Sequence, residues 1–495
     1  MLAPATRTRA AQRAARWRRI GVIDVGSNSV RLVVYDVRGR AMQPRFNEKV
    51  LAGLGRGLSG SGKLNKDGVE IAVSALSRFM AITRAQQVDT LIAFATAAVR
   101  EASDGAGFCE RVKKETGLQL RILSGGDEAR YSAQGVLVGT PGVDGVAGDL
   151  GGSSLELAKL TKGHYDGGTT YPLGPLALEG TSGFNEDKVM AKVRDALTGS
   201  PELKGGVDTF FAVGGAWRSI ASINMELSRA PLHILQNYEV DAKKLLELLV
   251  DLTSGKKHAA LIEEVAKRRA PTIPYAAAVL RGVIEIGKVK SVMISSYGVR
   301  EGVVFDTLDE HERMEDPLEA GIDALVWGDE MAAEFGRALI DWLGDAGQLT
   351  LEPRLLAAAC RLVDIGSPHH PDHRADTAFQ LVSQAALPGL IHKDRAALAL
   401  AVANRFKKNA SYPISTALLD AETHKKARAL GALMRLAAEF SGRSADLLKQ
   451  ATLKVDGRKL ELRVASGGRA LVSESVERRL QQAAQELGLA AAVVS

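Results

Sequence analysis

Asp24, Gly26, Ser27, Asn28 and Ser29 stand in one short segment, and Asp149, Gly151, Gly152, Ser153 and Ser154 stand in another of the same layout. Glycine and small polar residues let successive backbone N–H groups point at one anion. An aspartate beside them holds a cation, directly or through water. The chemistry this serves is that of a phosphate with its counter-ion. Two such segments in one chain imply two halves closing on a phosphorylated ligand.

The elements that must carry these residues are legible in the flanks. Each segment follows an apolar run and precedes alternating apolar residues (Val30, Leu32, Val34; Leu155, Leu157), so each reads as strand, tight turn, strand. After the first hairpin comes the loop 52–58, with Gly53, Gly55, Arg56 and Gly57, then a predicted helix from about Lys66 to Gln87. Thr90–Thr96 and Leu118–Ser124 read as strands, and Ser124 with Asp127 has the spacing of a helix N-cap, opening a helix through Ala133. The plan then repeats, with strands at Thr209–Val213 and Val292–Ser296. The first of these runs into Gly214-Gly215, a place for close backbone approach to a ligand.

Chain length makes this a multidomain protein. The 495 residues are 46% hydrophobic and 25% charged, an ordinary soluble composition, and no apolar run is long enough to predict a membrane span. The formal charge of +6 favours acidic ligands without choosing among them. The two cysteines, Cys109 and Cys360, read as buried thiols of a reducing compartment. Residues 1–19 hold Arg7, Arg9, Arg13, Arg16, Arg18 and Arg19 with no acid and no signal-peptide core, and read as a flexible basic tail or an anion-contacting arm. The remaining divisions are an α/β lobe over 20–140, a second over 141–306, a helical domain over 317–450 after an acidic aperiodic stretch, and a small α/β domain over 451–495. Asp456-Gly457 marks a hairpin in the last of these.

Four strings occur in order and spacing that resemble the exopolyphosphatase/guanosine pentaphosphate phosphohydrolase (Ppx/GppA) family: 21–32 around Asp24-Val25-Gly26-Ser27, 95–102 with Arg100, 123–130 with Glu128, and 149–157. The resemblance implies an actin/hexokinase/Hsp70-like (ribonuclease H-like) fold with the active site in the cleft between two lobes. It implies removal of terminal phosphate from inorganic polyphosphate, or of the 5′ phosphate from guanosine pentaphosphate, with magnesium, in the cytoplasm. A homodimer through the helical domains follows by the same analogy, and neither a membrane nor specific nucleic acid is expected as a partner.

The same resemblance distributes roles. Glu128 is the catalytic carboxylate that orients and deprotonates water; as an ordinary glutamate in a helix's first turn it is expected to be ionised. Asp127, adjacent to it, does not share its face. Asp24 and Asp149 bracket the magnesium ion, while Ser27, Asn28, Ser29, Gly151, Gly152 and Ser153 cradle phosphate. Glu156 is either a second carboxylate for metal or water, or a solvent-facing strand acid. Arg100 is expected to clamp phosphate oxygens, with Arg56 a weaker candidate.

Three departures from the family pattern stand out. Ser153 replaces a glycine and fits only if its φ is negative. Arg269-Ala270-Pro271 replaces Arg-Ala-Asp. In the helical domain Val363 precedes Asp364 where an HD phosphohydrolase needs histidine, so with His369, His370 and His373 nearby the domain reads as a degenerate HD-like fold. Its basic residues, Arg405, Lys407, Lys408, Lys425, Lys426 and Arg428, either track a long polyanion or form a solvated face. The reading is a magnesium-dependent exopolyphosphatase. Guanosine pentaphosphate hydrolysis is the alternative, and a sugar kinase or ATPase and a non-catalytic alarmone sensor are the readings from other classes.

Overall fold

The computed structural model describes residues 16–179, 183–254 and 257–494. Two similar runs of chain build two similar sheets. β1 (Arg18–Val25), β2 (Ser29–Arg38) and β3 (Ala41–Leu51) form an antiparallel meander, and β4 (Thr90–Ala95) and β5 (Arg121–Ile122) add in parallel, giving the order β3-β2-β1-β4-β5. β6 (Gly145–Leu150), β7 (Leu155–Thr161) and β8 (His164–Tyr171) repeat the meander. With β9 (Thr209–Val213), β10 (Glu239–Asp241) and β11 (Ser291–Ile294) the second order is β10-β11-β9-β6-β7-β8.

Strand periodicity decides what each face meets. In the first sheet Ile23, Val25, Val30, Leu32 and Val34 pack with Leu76 and Phe79 of the helix Lys66–Ala85. The opposite face, with Val22, Val33 and Tyr35, meets Tyr131 and Val138 of the helix Gly125–Gly139 and Val303 and Val304 of the helix Val299–Asp306. The Gly125–Gly139 helix also packs on β6, β7 and β8, so it joins the two sheets. Its fit there depends on glycine: a Cβ on Gly135 would lie 2.1 Å from the Gly298 carbonyl, and one on Gly302 would lie 1.9 Å from that of Tyr131. The second sheet's outer face forms its own core around Phe210, Trp217, Ile220 and Val279.

Several expectations are corrected. Of the basic stretch 1–19, residues 1–15 lie outside the described residues, but Arg18 and Arg19 already belong to β1. Arg18 pairs with Glu312 at 2.6 Å and Arg19 with Asp36 at 3.1 Å, so neither is tail. The acidic stretch 306–316 holds a helix, Glu310–Met314, with a capping box between Asp309 and Glu312. The expected strand Leu118–Ser124 shrinks to two residues.

The first packed unit ends at Pro317, and a second runs from Leu318 to the end. In the second, the helices Glu330–Gln348, Pro353–Arg361, Arg374–Gln384, His392–Phe406 and Ala421–Ser441 share one core with β12 (Ala451–Asp456), β13 (Lys459–Val464) and the helix Glu474–Leu487, while β14 (Ala490–Val494) pairs with β13. Leu453, Leu462 and Leu480 are buried with Phe335, Leu400 and Leu433. The Trp342 indole N–H donates to the Ala451 carbonyl at 3.0 Å. The small α/β piece expected over 451–495 is therefore not a separate domain, because its apolar face is covered by the helices before it. Asp364 is buried and faces Arg405 (3.4 Å) and Arg443 (3.6 Å). His369, His370 and His373 do not gather with it: among the described residues no group of three His, Cys, Asp or Glu is placed to hold a metal ion.

Candidate active site

The two hairpin turns are built alike. The Gly26 N–H donates to the Ser29 carbonyl at 3.0 Å, and the Gly151 N–H to that of Ser154 at 2.9 Å. The turns also approach each other closely. Ser153 Oγ donates to Ser27 Oγ at 3.0 Å, and a Cβ on Gly152 would lie 3.1 Å from that of Ser27. Ser153 is not among the residues with positive φ, so serine fits there without strain. Gly174 backs the second turn, where a Cβ would lie 2.3 Å from the Ser153 carbonyl carbon.

Asp24, Glu128, Asp149 and Glu156 line one cavity of about 250 Å³ together with Ser27, Asn28, Ser29, Gly151, Gly152 and Ser153. Register explains the convergence. Asp24 shares the face of Val22, toward the Gly125–Gly139 helix, and Asp149 lies directly opposite Glu156 across β6 and β7. Glu128 enters from the first turn of that helix, fixed by a capping box: Ser124 Oγ accepts from the Asp127 N–H at 3.1 Å, and Asp127 Oδ2 accepts from the Ser124 N–H at 3.2 Å. Asp127 also faces Arg121 at 3.2 Å, so it serves the cap and not the cavity.

The environment of each carboxylate is distinct. Glu128 is 7% exposed, and burial raises its pKa to about 7; the Arg100 guanidinium pulls against that, while Asp149 and Asp24 push further up. The expectation that Glu128 is simply ionised is therefore corrected, since desolvation outweighs the helix start. Arg100 is bonded to the Glu128 carboxylate and to the Leu123 carbonyl (2.8 Å), and does not line the cavity. The expected phosphate clamp is here the counter-ion of a buried acid, which needs one. Arg56 also lies outside the lining. Glu156 is 3% exposed, not a solvent-facing strand acid. Burial, then Glu128, raise its pKa well above the ordinary range, and its Oε1 has no hydrogen-bond partner. Burial also raises Asp149, against a hydrogen bond from Ser132 Oγ at 2.9 Å.

Asp24 Oδ2 accepts from Arg300 Nη1 at 3.0 Å. Burial works against the charge on Arg300, but Glu301 and Asp24 more than restore it. Glu301 in turn accepts from the Tyr35 hydroxyl and the Gly298 N–H. Sequence reasoning missed Ser132 and Arg300 as parts of the site. Ser132 carried a signal: it lies four residues beyond Glu128, on the same helix face. Arg300 lies just beyond the predicted strand Val292–Ser296, in a stretch to which the sequence reading gave no role. Asp24 and Asp149 occupy equivalent positions facing one cavity, and Glu156 leaves an acceptor unused. This set suits magnesium, which takes one or two carboxylates and completes its shell with water and phosphate oxygens; it does not suit an all-protein cage.

Residues 33–311 match the model of the Ppx/GppA phosphatase family, and residues 331–494 match that of the exopolyphosphatase C-terminal domain. Curated relatives include exopolyphosphatase 1 of Mycobacterium leprae, 30% identical over 310 residues covering 59% of this chain and 90% of that protein. The enzyme of the same name from Mycobacterium bovis is 29% identical over 305 residues, covering 59% and 88%. An exopolyphosphatase crystal structure from Cytophaga hutchinsonii aligns with TM-score 0.52 at 23% identity, covering 59% of this chain and 99% of that one. The Aquifex aeolicus member of the Ppx/GppA family aligns with TM-score 0.51 at 23% identity, covering 58% and 97%. At such identity the structural likeness concerns the fold, which is that of the Ppx/GppA proteins.

Proposed function

This chain belongs to the Ppx/GppA phosphatase family, and from that premise we propose that it is an exopolyphosphatase that hydrolyses the terminal phosphoanhydride bond of inorganic polyphosphate. One observation supports the reading: a buried glutamate at a helix N-terminus and three strand residues, Asp24, Asp149 and Glu156, bring four carboxylates to a single cavity beside two glycine–serine turns. The N–H groups and hydroxyls of Ser27, Asn28, Gly152 and Ser153 hold the terminal phosphate. Glu128 orients a water molecule toward phosphorus and takes its proton as the P–O bond to the bridging oxygen breaks. The products are orthophosphate and a chain one unit shorter. Arg100 keeps Glu128 in place and favours its ionised form.

Asp24 and Asp149 would hold a magnesium ion, whose charge, when bound, offsets that of the phosphate oxygens. Ser132 and Arg300 fix the orientations of these two aspartates. The second unit, a degenerate HD-like domain in this reading, binds the trailing polyphosphate through its basic residues. The test is phosphate release from long-chain polyphosphate with magnesium, beside guanosine pentaphosphate at equal terminal-phosphate concentration. Glu128→Ala is expected to lower the rate by about 10²–10⁴-fold. Full release by that variant would sink the catalytic assignment, and faster turnover of guanosine pentaphosphate would transfer the reading to the nucleotide.

A further inference from the structure

Of the basic residues that the sequence offers to a polyanion in the second unit, two are already engaged: Arg428 donates to Glu486 at 2.7 Å, and Lys426 faces Glu422 at 2.7 Å. Unbalanced charge lies elsewhere in that unit, around Asp364. Asp364 follows the helix Pro353–Arg361, and Arg374 opens the helix Arg374–Gln384. Arg405 stands one residue before the end of the helix His392–Phe406, and Arg443 follows the helix Ala421–Ser441. Gly366 packs these segments together: a Cβ there would lie 2.7 Å from the Arg374 carbonyl oxygen and 2.9 Å from the Phe406 ring.

Two guanidiniums share the one carboxylate. Arg405 Nη2 donates to Asp364 Oδ1 at 3.4 Å, and Arg443 Nη1 faces Oδ2 at 3.6 Å. Arg374 is the third cation. Its Nε donates to the His369 carbonyl at 3.0 Å, and among the described residues no carboxylate pairs with it. The next acid, Glu439, is taken by Ser475 Oγ at 2.7 Å and Arg479 at 3.7 Å. Local structure does not account for this gathering. Arg374 occupies the first position of its helix, where the macrodipole opposes a cation. Arg443 holds a φ of 69°, a left-handed conformation that a bulky residue adopts at a cost. The Arg405 side chain is 13% exposed, and its buried Nε has no hydrogen-bond partner. Burial lowers its pKa; Asp364 opposes that, and Arg443 and Arg374 lower it further. An anion completes such a set, and guanidinium forks match the oxygens of phosphate.

We propose that Arg374, Arg405 and Arg443, held around Asp364, form an anion site that takes a single terminal phosphate group. All four residues belong to the second unit, and none lines the cavity of the four carboxylates. Three guanidiniums gathered on one carboxylate suit one compact dianion, not a length of polymer. The source of the ligand rests on the phosphatase reading: cleavage releases orthophosphate, and a polyphosphate chain ends in the same group. Asp364 is here a positioning residue, which holds two of the guanidiniums toward a common point.

The experiment is calorimetric titration of the full chain in EDTA, with inorganic phosphate and tripolyphosphate as separate probes. Arg374→Gln and Arg443→Gln are each expected to weaken one equivalent of phosphate by about tenfold or more, the loss of a charge-assisted contact. The double substitution Lys407→Gln, Lys408→Gln removes two exposed charges beside Arg405 and is expected to change it by less than about twofold. With magnesium, both arginine variants are expected to release phosphate from tripolyphosphate within about twofold of the wild-type rate, since the cavity is a separate site. Neither arginine is buried, so folding is not at stake, and a melting curve verifies this. Equal weakening of the two probes marks the ligand as a terminal phosphate, free or at a chain end; weakening of tripolyphosphate alone assigns the site to the chain end. Unchanged binding of both probes in both arginine variants overturns the site, as does an equal loss in the lysine variant. A wild-type chain that releases no phosphate from polyphosphate, yet binds phosphate through Arg374 and Arg443, would overturn the phosphatase reading and leave the site standing.

Discussion

Glu128 concentrates the chemistry at the scale of single residues, and its environment sets a pH dependence. A base must be ionised to act, so kcat/KM falls as pH drops through its pKa, giving an acid limb with a midpoint no higher than about 7. The Arg100 guanidinium favours the carboxylate. Arg100→Gln is therefore expected to move that limb to higher pH and to lower the rate at neutral pH. A pH–rate profile of the two proteins checks this, and coincident limbs would refute it. Asp149→Asn removes one of the negative charges that raise Glu128. It is expected to abolish the magnesium dependence of binding while leaving the fold intact, read by titration of magnesium against tryptophan or calorimetric signal.

At the scale of elements, the helix pair Gly125–Gly139 and Val299–Asp306 is the joint on which the site depends, since one member carries Glu128 and Ser132 and the other Arg300. Their backbones touch at Gly135 with Gly298 and at Gly302 with Tyr131, leaving no room for a methyl group. Gly302→Ala forces them apart and is expected to cost about 1–3 kcal/mol of stability, with a fall in activity larger than the change in melting temperature would explain. Ser124→Ala removes a helix cap and is expected to cost about 1 kcal/mol. Because the cap also aims the first turn, that variant is expected to lose activity as well. Thermal unfolding and phosphate release, measured together, decide both cases; full activity in a destabilised protein would separate the cap from the chemistry.

For the whole molecule, two units with separate cores stand in one chain, divided at Pro317. The curated relatives are nearly spanned by 59% of this chain, so proteins of about that extent exist without the remainder. Deleting residues 318–495 is expected to leave cleavage of tripolyphosphate within about threefold and to weaken binding of long-chain polyphosphate by tenfold or more, through lost multivalent contact. KM values over a series of chain lengths measure this, and equal losses for short and long chains would count against a binding role for the second unit.

Much of this was readable before any coordinates. The two turns were legible because their constraint is local: glycine, small polar residues and an aspartate at a strand end specify the tight turn within about seven residues. The N-cap at Ser124 was legible for the same reason, and so was the hairpin at Asp456-Gly457. The charge state of Glu128 was not, because desolvation comes from elements distant in the chain. Nor was the switch of Arg100 from phosphate clamp to counter-ion, which follows from a buried acid 28 residues away needing a partner. The unity of the second core was hidden because composition changes at residue 451 while the packing does not. Local pattern determined the turns and the strands; register and packing between distant segments decided which charges meet, and burial decided how they behave once they do.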